Sequence, residues 1–442
     1  MDNNEKTIAR QRIESLFDEG TFVEIGGNVR QRGGENAESV ITGYGAVNGV
    51  LVFAFSQDVS VLKGSIGEMH ARKICTIIEM AQKAEAPVAA MLDSNGARLL
   101  EEAEALAAYG KILAAVNDYL GTNALISMVF GTCAGAMSFI PAMSDYSVML
   151  KKAELFLSSP DVVKARYNDA SAGTSDAAYA NGTVSLVCET EDEAIASVKD
   201  FISTLCDVYV TSDDINRLTP EIADYLAAKN YDVKSVIRTI ADDGKMTELY
   251  AGAAQNIVTA VINLNCMKAG VIANQPAVEN GVLTSAAAEK AARFIEFCDC
   301  FGIPVISLVN TDGFACDKNE NIFAASKLVS AFSNAYVTKI ALIMGKAYGS
   351  GYVSMCPPNA DIVYAYANAE IACLSAETGA VFMLGQKLEQ SKTPIEDREA
   401  LIEEYRKTIA SPDSAARSGY IHDIIDVETT RQLLISSLDM MG

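Results

Sequence analysis

Two hydrophobic periods alternate along this chain. Arg10 to Phe17 reads as a short amphipathic helix closed by Asp18-Glu19-Gly20, and Val40 to Gly45 with Val50 to Phe55 reads as a hairpin about Asn48-Gly49. After a loop marked by Gly64 and Gly67, Ile74, Ile77, Ile78 and Ala81 fall at i, i+3, i+4 and i+7, which predicts a helix that Pro87 stops. Val88 to Leu92 is a short buried strand with the loop Asp93 to Arg98 at its end. A second helix follows, with Leu106, Tyr109, Leu113, Val116 and Leu120 on its apolar face. The next buried strand, Ala124 to Phe130, breaks into the small-residue stretch Gly131 to Ala136, which opens a helix over Gly135 to Ala142. Such a turn leaves backbone N–H groups without helical partners, able to bind an anion or oxyanion. A strand about Tyr146 to Leu150, a mobile loop over Ser171 to Gly182 and a helix from Asp192 to Cys206 complete this half. The polar segment Thr211 to Pro220 is the candidate boundary, dividing residues 1–220 from residues 221–442.

The same order of elements then returns. Pro304 follows Pro87 by 217 residues, and Gly313 follows Gly96 by 217. Gly345 and Gly349 follow Gly131 and Gly135 by 214, and Gln275 follows Gln57 by 218. An offset this steady predicts two duplicated α/β domains.

Composition sharpens the picture in three ways. With 442 residues, half of them hydrophobic, the chain is long enough for two cores. Its net charge of −22 repels nucleic acid and anionic lipid, and no apolar run reaches the roughly 18 residues of a membrane span. No secretory signal opens the chain, so a cytoplasmic location is expected. Ten scattered cysteines form no CxxC pair, and His70 and His422 are the only histidines, so no metal site is expected.

Candidate chemistry therefore rests on backbone donors. Each half places two loops at the ends of neighbouring strands, Gly96-Ala97 beside Gly135-Ala136, and Gly313-Phe314 beside Ser350-Gly351. Converging N–H groups can hold a thioester oxygen as it becomes an enolate. Small residues there could equally serve only close packing of helix on strand. Asp93 and Arg98 read as an acid and cation, or as braces of their loop. Lys346 reads as a phosphate or carboxylate contact, or as a snorkelling strand-end lysine, and Tyr348 as packing or chemistry.

These motifs resemble a known family, the carboxyltransferase subunits of biotin-dependent acyl-CoA carboxylases and decarboxylases, in the crotonase superfamily. The resemblance runs from Thr7 to Glu14 and Gly20 to Glu24, through Phe55 to Asp58, Asp93 to Arg98, Gly131 to Ala136 and Pro160 to Lys164. It continues through Asn274 to Pro276, Ala292 to Asp299, Lys346 to Gly349 and Ala369 to Ile371, and closes at Gly419 to Asp426. It implies two tandem ββα-spiral domains, the first binding acyl-CoA and the second biotin. Biotin is implied to arrive on a separate carrier protein, with biotin carboxylase or decarboxylase subunits as further partners and a homo-hexamer as the assembly. The thioester hole is implied at Gly135 and Ala136, and the hole for the biotin ureido oxygen at Ser350 and Gly351. Gly96, Ala97, Gly313, Phe314, Lys346, Tyr348 and Val353 are implied to line the substrates. The reaction so implied moves a carboxyl group between biotin and the α-carbon of an acyl-CoA through an enolate. Decarboxylation in the reverse direction, or a non-catalytic structural subunit, are the alternatives.

The chain departs from the family pattern in places. Gly345 stands where an Arg is common, and Val353 where propionyl-type members have Asp. The loop after Phe314 is short, and Thr174 to Gly182 lacks a Thr-His element.

Overall fold

The protein is described from a computed structural model that covers residues 6–206, 208, 213–228, 230–316, 322–355, 360–389 and 394–441. Part of the candidate boundary, residues 211 and 212, and the continuation of the short loop after Phe314, residues 317–321, lie outside the described residues. The chain divides into two compact units, Met1–Tyr209 and Val210–Gly442.

The first unit contains β1 (Val23–Ile25), β2 (Val40–Val47), β3 (Val50–Gln57), β4 (Val88–Ser94), β5 (Leu125–Ala134), β6 (Tyr146–Leu150), β7 (Glu154–Phe156) and β8 (Leu186–Cys188). Its sheet runs β1-β2-β3-β4-β5-β6-β8, and β7 pairs off the path with β5. The second unit contains β9 (Met246–Glu248), β10 (Ile257–Leu264), β11 (Met267–Asn274), β12 (Val305–Thr311), β13 (Lys339–Tyr348), β14 (Ile362–Tyr366), β15 (Glu370–Ala372) and β16 (Asp423–Ile425). Its order, β16-β14-β13-β12-β11-β10-β9 with β15 beside β13, repeats the first. The expected pair of duplicated α/β domains is borne out.

The duplication extends to turn chemistry. In the first hairpin, Val47 faces Val50 across a two-residue turn with positive φ at Asn48 and Gly49. Their N–H groups donate to the two oxygens of Asp18, at 3.0 and 2.9 Å. The second hairpin turns through Asn265 and Cys266, also at positive φ, and their N–H groups donate to Asp242 at 3.0 and 3.1 Å. The second turn has Cys266 where the first has Gly49, so it lacks the Asn-Gly signature although cysteine rarely adopts this conformation.

A buried lysine also recurs. Lys73 on the helix Glu68–Ala84 donates to Val40 O, and Lys290 on the helix Ser285–Cys300 donates to Ile257 O and Ala253 O at 2.8 and 2.9 Å. Each fastens its helix to the first residue of the hairpin. Burial pushes the Lys290 ammonium down to about 8 and lowers Lys73 likewise.

Four local readings change. Gln57 pairs by register with Val40, and Asn274 with Ile257, so the structural counterpart of Gln57 is Asn274 and not Gln275. Gln275 instead accepts from Val233 N and donates to Asp232. Leu106 is 70% exposed, because the buried face of the helix Glu102–Tyr119 is carried by Ala105, Ala108, Tyr109, Ile112, Val116 and Tyr119. Ser171 to Gly182 contains a helix, Ser175–Ala180, capped by the Thr174 hydroxyl on Ala177 N. Gly131 to Ala134 is strand and not turn, because β7 pairs with Thr132, Cys133 and Ala134.

Candidate active site

Each site begins at an irregularity in the central strand pair. Between β4 and β5, Leu92 pairs with Val129 and Ser94 with Cys133, so one residue of β4 faces three of β5. The odd residue of β4 is Asp93, whose carboxylate occupies the space of a side chain at Gly131, where a Cβ would lie 2.2 Å from Asp93 Oδ1. In the second unit Val309 pairs with Ile343 and Thr311 with Ala347, and Asn310 fills the same notch at Gly345. A side chain at position 345 would collide with Asn310 so placed, since a Cβ there would lie 2.5 Å from its Oδ1. Main-chain support is equivalent: Gln57 Oε1 accepts from Asp93 N, and Asn274 Oδ1 from Asn310 N, each at 3.0 Å.

Beyond the notch the strands end and the chain turns. Gly135 and Gly349 both have positive φ, 66° and 48°. A short 3-10 segment, Gly135–Ser138, follows the first, and the helix Gly349–Met355 follows the second. Backbone N–H groups in these first turns have no partner within the helix. A Cβ on Gly135 would meet nothing within 4 Å, so the turn faces open space. Ser138 Oγ donates to Gly135 O at 2.7 Å and steadies it. Equivalence by offset matches Gly135-Ala136 to Gly349-Ser350. Gly351, one residue further on, is packed tightly, since a Cβ there would lie 2.8 Å from Gly313 Cα.

The second loop of each pair lies against this turn. Gly96 N donates to Ser94 Oγ and Gly313 N to Thr311 Oγ1. Ala97 bridges to Ile66, and Phe314 to Leu283. Gly96 thus stands beside Ala134, and Gly313 beside Tyr348 O and Gly351 N.

A family model described as a carboxyl transferase domain matches residues 2–441. The chain belongs to the carboxyl transferase domain family. It is 35% identical to methylmalonyl-CoA decarboxylase subunit alpha of Propionigenium modestum, over 99% of this chain and 90% of that protein. It is 34% identical to the human mitochondrial propionyl-CoA carboxylase beta chain, over 99% of this chain and 86% of that one. The crystal structure of the transcarboxylase 12S hexamer with methylmalonyl-coenzyme A and methylmalonic acid bound superposes with a TM-score of 0.92 at 34% identity, covering 98% of this chain and 88% of that chain.

In this carboxyltransferase, side chains around the first site act as braces. Arg98 donates to Glu38, to Glu101 at 3.0 Å, to Ser39 Oγ and to Ser65 O. Burial works against ionisation of Glu38, but the Arg98 guanidinium and Ser39 N–H hold its carboxyl below the ordinary range. His70 bridges Ser39 Oγ and Gln57 Nε2 and is fully buried, which pushes it down to about 3. A neutral imidazole follows at working pH. Lys346 is paired with Asp312 at 2.9 Å and is partly exposed. Tyr348 is buried with its hydroxyl on Glu370, which Arg406 approaches at 3.3 Å. Val353 is 43% exposed.

Sequence reasoning missed Arg12 as a site residue. From the helix Ile8–Leu16 it reaches Asp93 Oδ2 at 2.8 Å and Glu191 at 2.7 Å, with its guanidinium 4.9 Å from the Phe130 ring. The available signal was a charged residue between Ala9, Ile13 and Leu16 on a buried helical stripe. Among the described residues no cluster of His, Cys, Asp and Glu could hold a metal, and no helix is long and apolar enough to cross a membrane.

Proposed function

We propose that the chain is the carboxyltransferase subunit that moves a carboxyl group between biotin on a separate carrier protein and the α-carbon of an acyl-CoA. The observation supporting this reading is the duplicated strand-to-helix turn, which supplies one donor set per unit. The first unit, with Gly135, Ala136, Gly96 and Ala97, takes the acyl-CoA. Its N–H groups receive the thioester oxygen as negative charge develops on the substrate enolate, and preorganised donors favour that state over the neutral ester. The second unit, with Gly349, Ser350, Gly351, Gly313 and Phe314, takes biotin. Backbone N–H donors at its turn suit a neutral carbonyl acceptor such as a urea oxygen. Biotin, when bound, supplies the ureido nitrogen that carries the carboxyl group.

The protein's own residues bind, orient and stabilise charge, and none needs to change protonation state. This accords with a site whose neighbouring histidine is buried and neutral. The partners are the biotin carboxyl carrier and a biotin carboxylase or decarboxylase subunit, the assembly is a homo-hexamer, and the location is the cytoplasm. The test is purified protein with free biotin and malonyl-CoA or methylmalonyl-CoA. Carboxyl transfer to biotin is expected, and none with any acyl-CoA tried would leave a structural subunit as the better reading. A second reading, net decarboxylation, is favoured by two relatives at 35% identity named methylmalonyl-CoA decarboxylase subunit alpha. Flux measured with the cognate biotinylated carrier decides between the directions.

A further inference from the structure

We infer that Tyr109 is an additional hydrogen-bond donor to the acyl-CoA, its phenolic hydroxyl meeting an oxygen of the thioester group beside Gly96. The inference rests on the carboxyltransferase reading and deepens it.

Tyr109 sits on the buried face of the helix Glu102–Tyr119 and is 7% exposed, yet its hydroxyl has no hydrogen-bond partner in the protein. Buried polar groups are nearly always satisfied; the hydroxyls of Ser56, Ser127 and Ser185 also lack a partner, and of these orphans Tyr109 is the one against Gly96. Other buried tyrosines obey the rule. Tyr119, ten residues on along the same helix face, donates to Ala86 O at 2.6 Å. Tyr231 pairs with Asn310, Tyr348 with Glu370 and Tyr366 with Thr430.

The place of the orphan is specific. The Tyr109 hydroxyl lies 3.7 Å from the position a Gly96 Cβ would take, and Ala134, the last residue of β5 before the Gly135 turn, lies 3.8 Å from that same point. The hydroxyl therefore lies enclosed directly behind the junction of the two loops that form the thioester side, at van der Waals distance from it. Burial, with Cys133 nearby, pushes the phenol well above its ordinary range, so it stays protonated and acts as a donor at neutral pH. The ligand it fits is an oxygen acceptor, which becomes a better one as charge develops on the thioester oxygen. In the second unit the corresponding neighbours of Gly313 are backbone groups, Tyr348 O and Gly351 N. The phenol is particular to the acyl-CoA side.

Tyr109→Phe separates this role from a structural one, because loss of an unpartnered hydroxyl removes no bond within the fold. The apo variant is expected to melt at the same temperature or higher. Its kcat/KM for methylmalonyl-CoA should fall by about tenfold or more, and its KM for free biotin should not move. Calorimetry with methylmalonyl-CoA reads the binding share of that loss. If the unaltered protein transfers carboxyl groups and the variant does so equally well, the Tyr109 inference is overturned while the carboxyltransferase reading stands. A fall in Tm that accounts for the lost activity also overturns it, since the hydroxyl would then serve the fold. If the unaltered protein neither binds a CoA thioester nor transfers a carboxyl group, the reading itself fails and Tyr109 with it.

Discussion

The notch in β5 and its twin in β13 have the same backbone and different chemistry. In the second unit it is closed locally and without charge: Asn310 Oδ1 accepts from Lys346 N at 3.0 Å, and Asn310 Nδ2 donates to Tyr231 at 3.2 Å. In the first unit a carboxylate does the same work, and a carboxylate this buried is costly unless paired. Arg12 supplies the pair across 81 positions of sequence, and its one guanidinium is shared between Asp93 and Glu191. The notch thus takes either an amide or a carboxylate of the same length. The ionic version adds dependence on the N-terminal helix, so damage to that helix should reach the Gly96 and Gly135 loops, whereas the second site is held by its near neighbours.

The largest expected effect is at the turns. Gly135→Val and Gly349→Val each force a β-branched residue to positive φ, and each should lower carboxyl transfer by more than about 10²-fold with the oligomer intact. Only the first should abolish acyl-CoA binding by calorimetry; loss of binding in both would end the division of labour between the units. Next, Arg12→Met leaves Asp93 unpaired and should cost about 3 kcal/mol in urea unfolding. Adding Asp93→Asn should restore most of this, as Asn310 does the same work uncharged; a double variant no better than Arg12→Met would show that more than the ion pair was lost.

Lys290 offers a pH test. Its folded value of about 8 lies below the ordinary lysine value of 10.5, so the folded state binds fewer protons than the unfolded state between these limits. Stability relative to Lys290→Met should therefore be greatest above pH 10.5 and fall as pH drops through 8, by about 3 kcal/mol. Paired denaturation curves at pH 7.5 and 10.5 measure it, and a constant difference would contradict the buried charge. Lys73→Met should show the same sign. The smallest effect is Lys346→Met, which removes a partly exposed ion pair with Asp312 and should cost less than about 1 kcal/mol. A large loss of transfer with unchanged Tm would instead give Lys346 a direct part in substrate binding.

By itself the sequence determined what is periodic and local. Alternation and 3.6-residue spacing announced the first hairpin, the helix carrying Ile74 to Ala81 and the buried strands, and a constant offset announced the duplication. Small residues at Gly135 and Gly349 marked the turns, because a backbone demand for positive φ is written in residue type. Tertiary structure decided partners and faces. Nothing local pairs Arg12 with Asp93 or aligns Gln57 with Asn274, since strand register depends on both strands at once. Leu106 fits the helical stripe by spacing, yet it is exposed because the small face led by Ala105 and Ala108 is the one that packs. Gly131 to Ala134 reads as a turn by composition and remains strand because β7 supplies its pairing. The hydroxyl of Tyr109 looks like any other until its neighbours are placed around it, and only then is it seen to lack a partner.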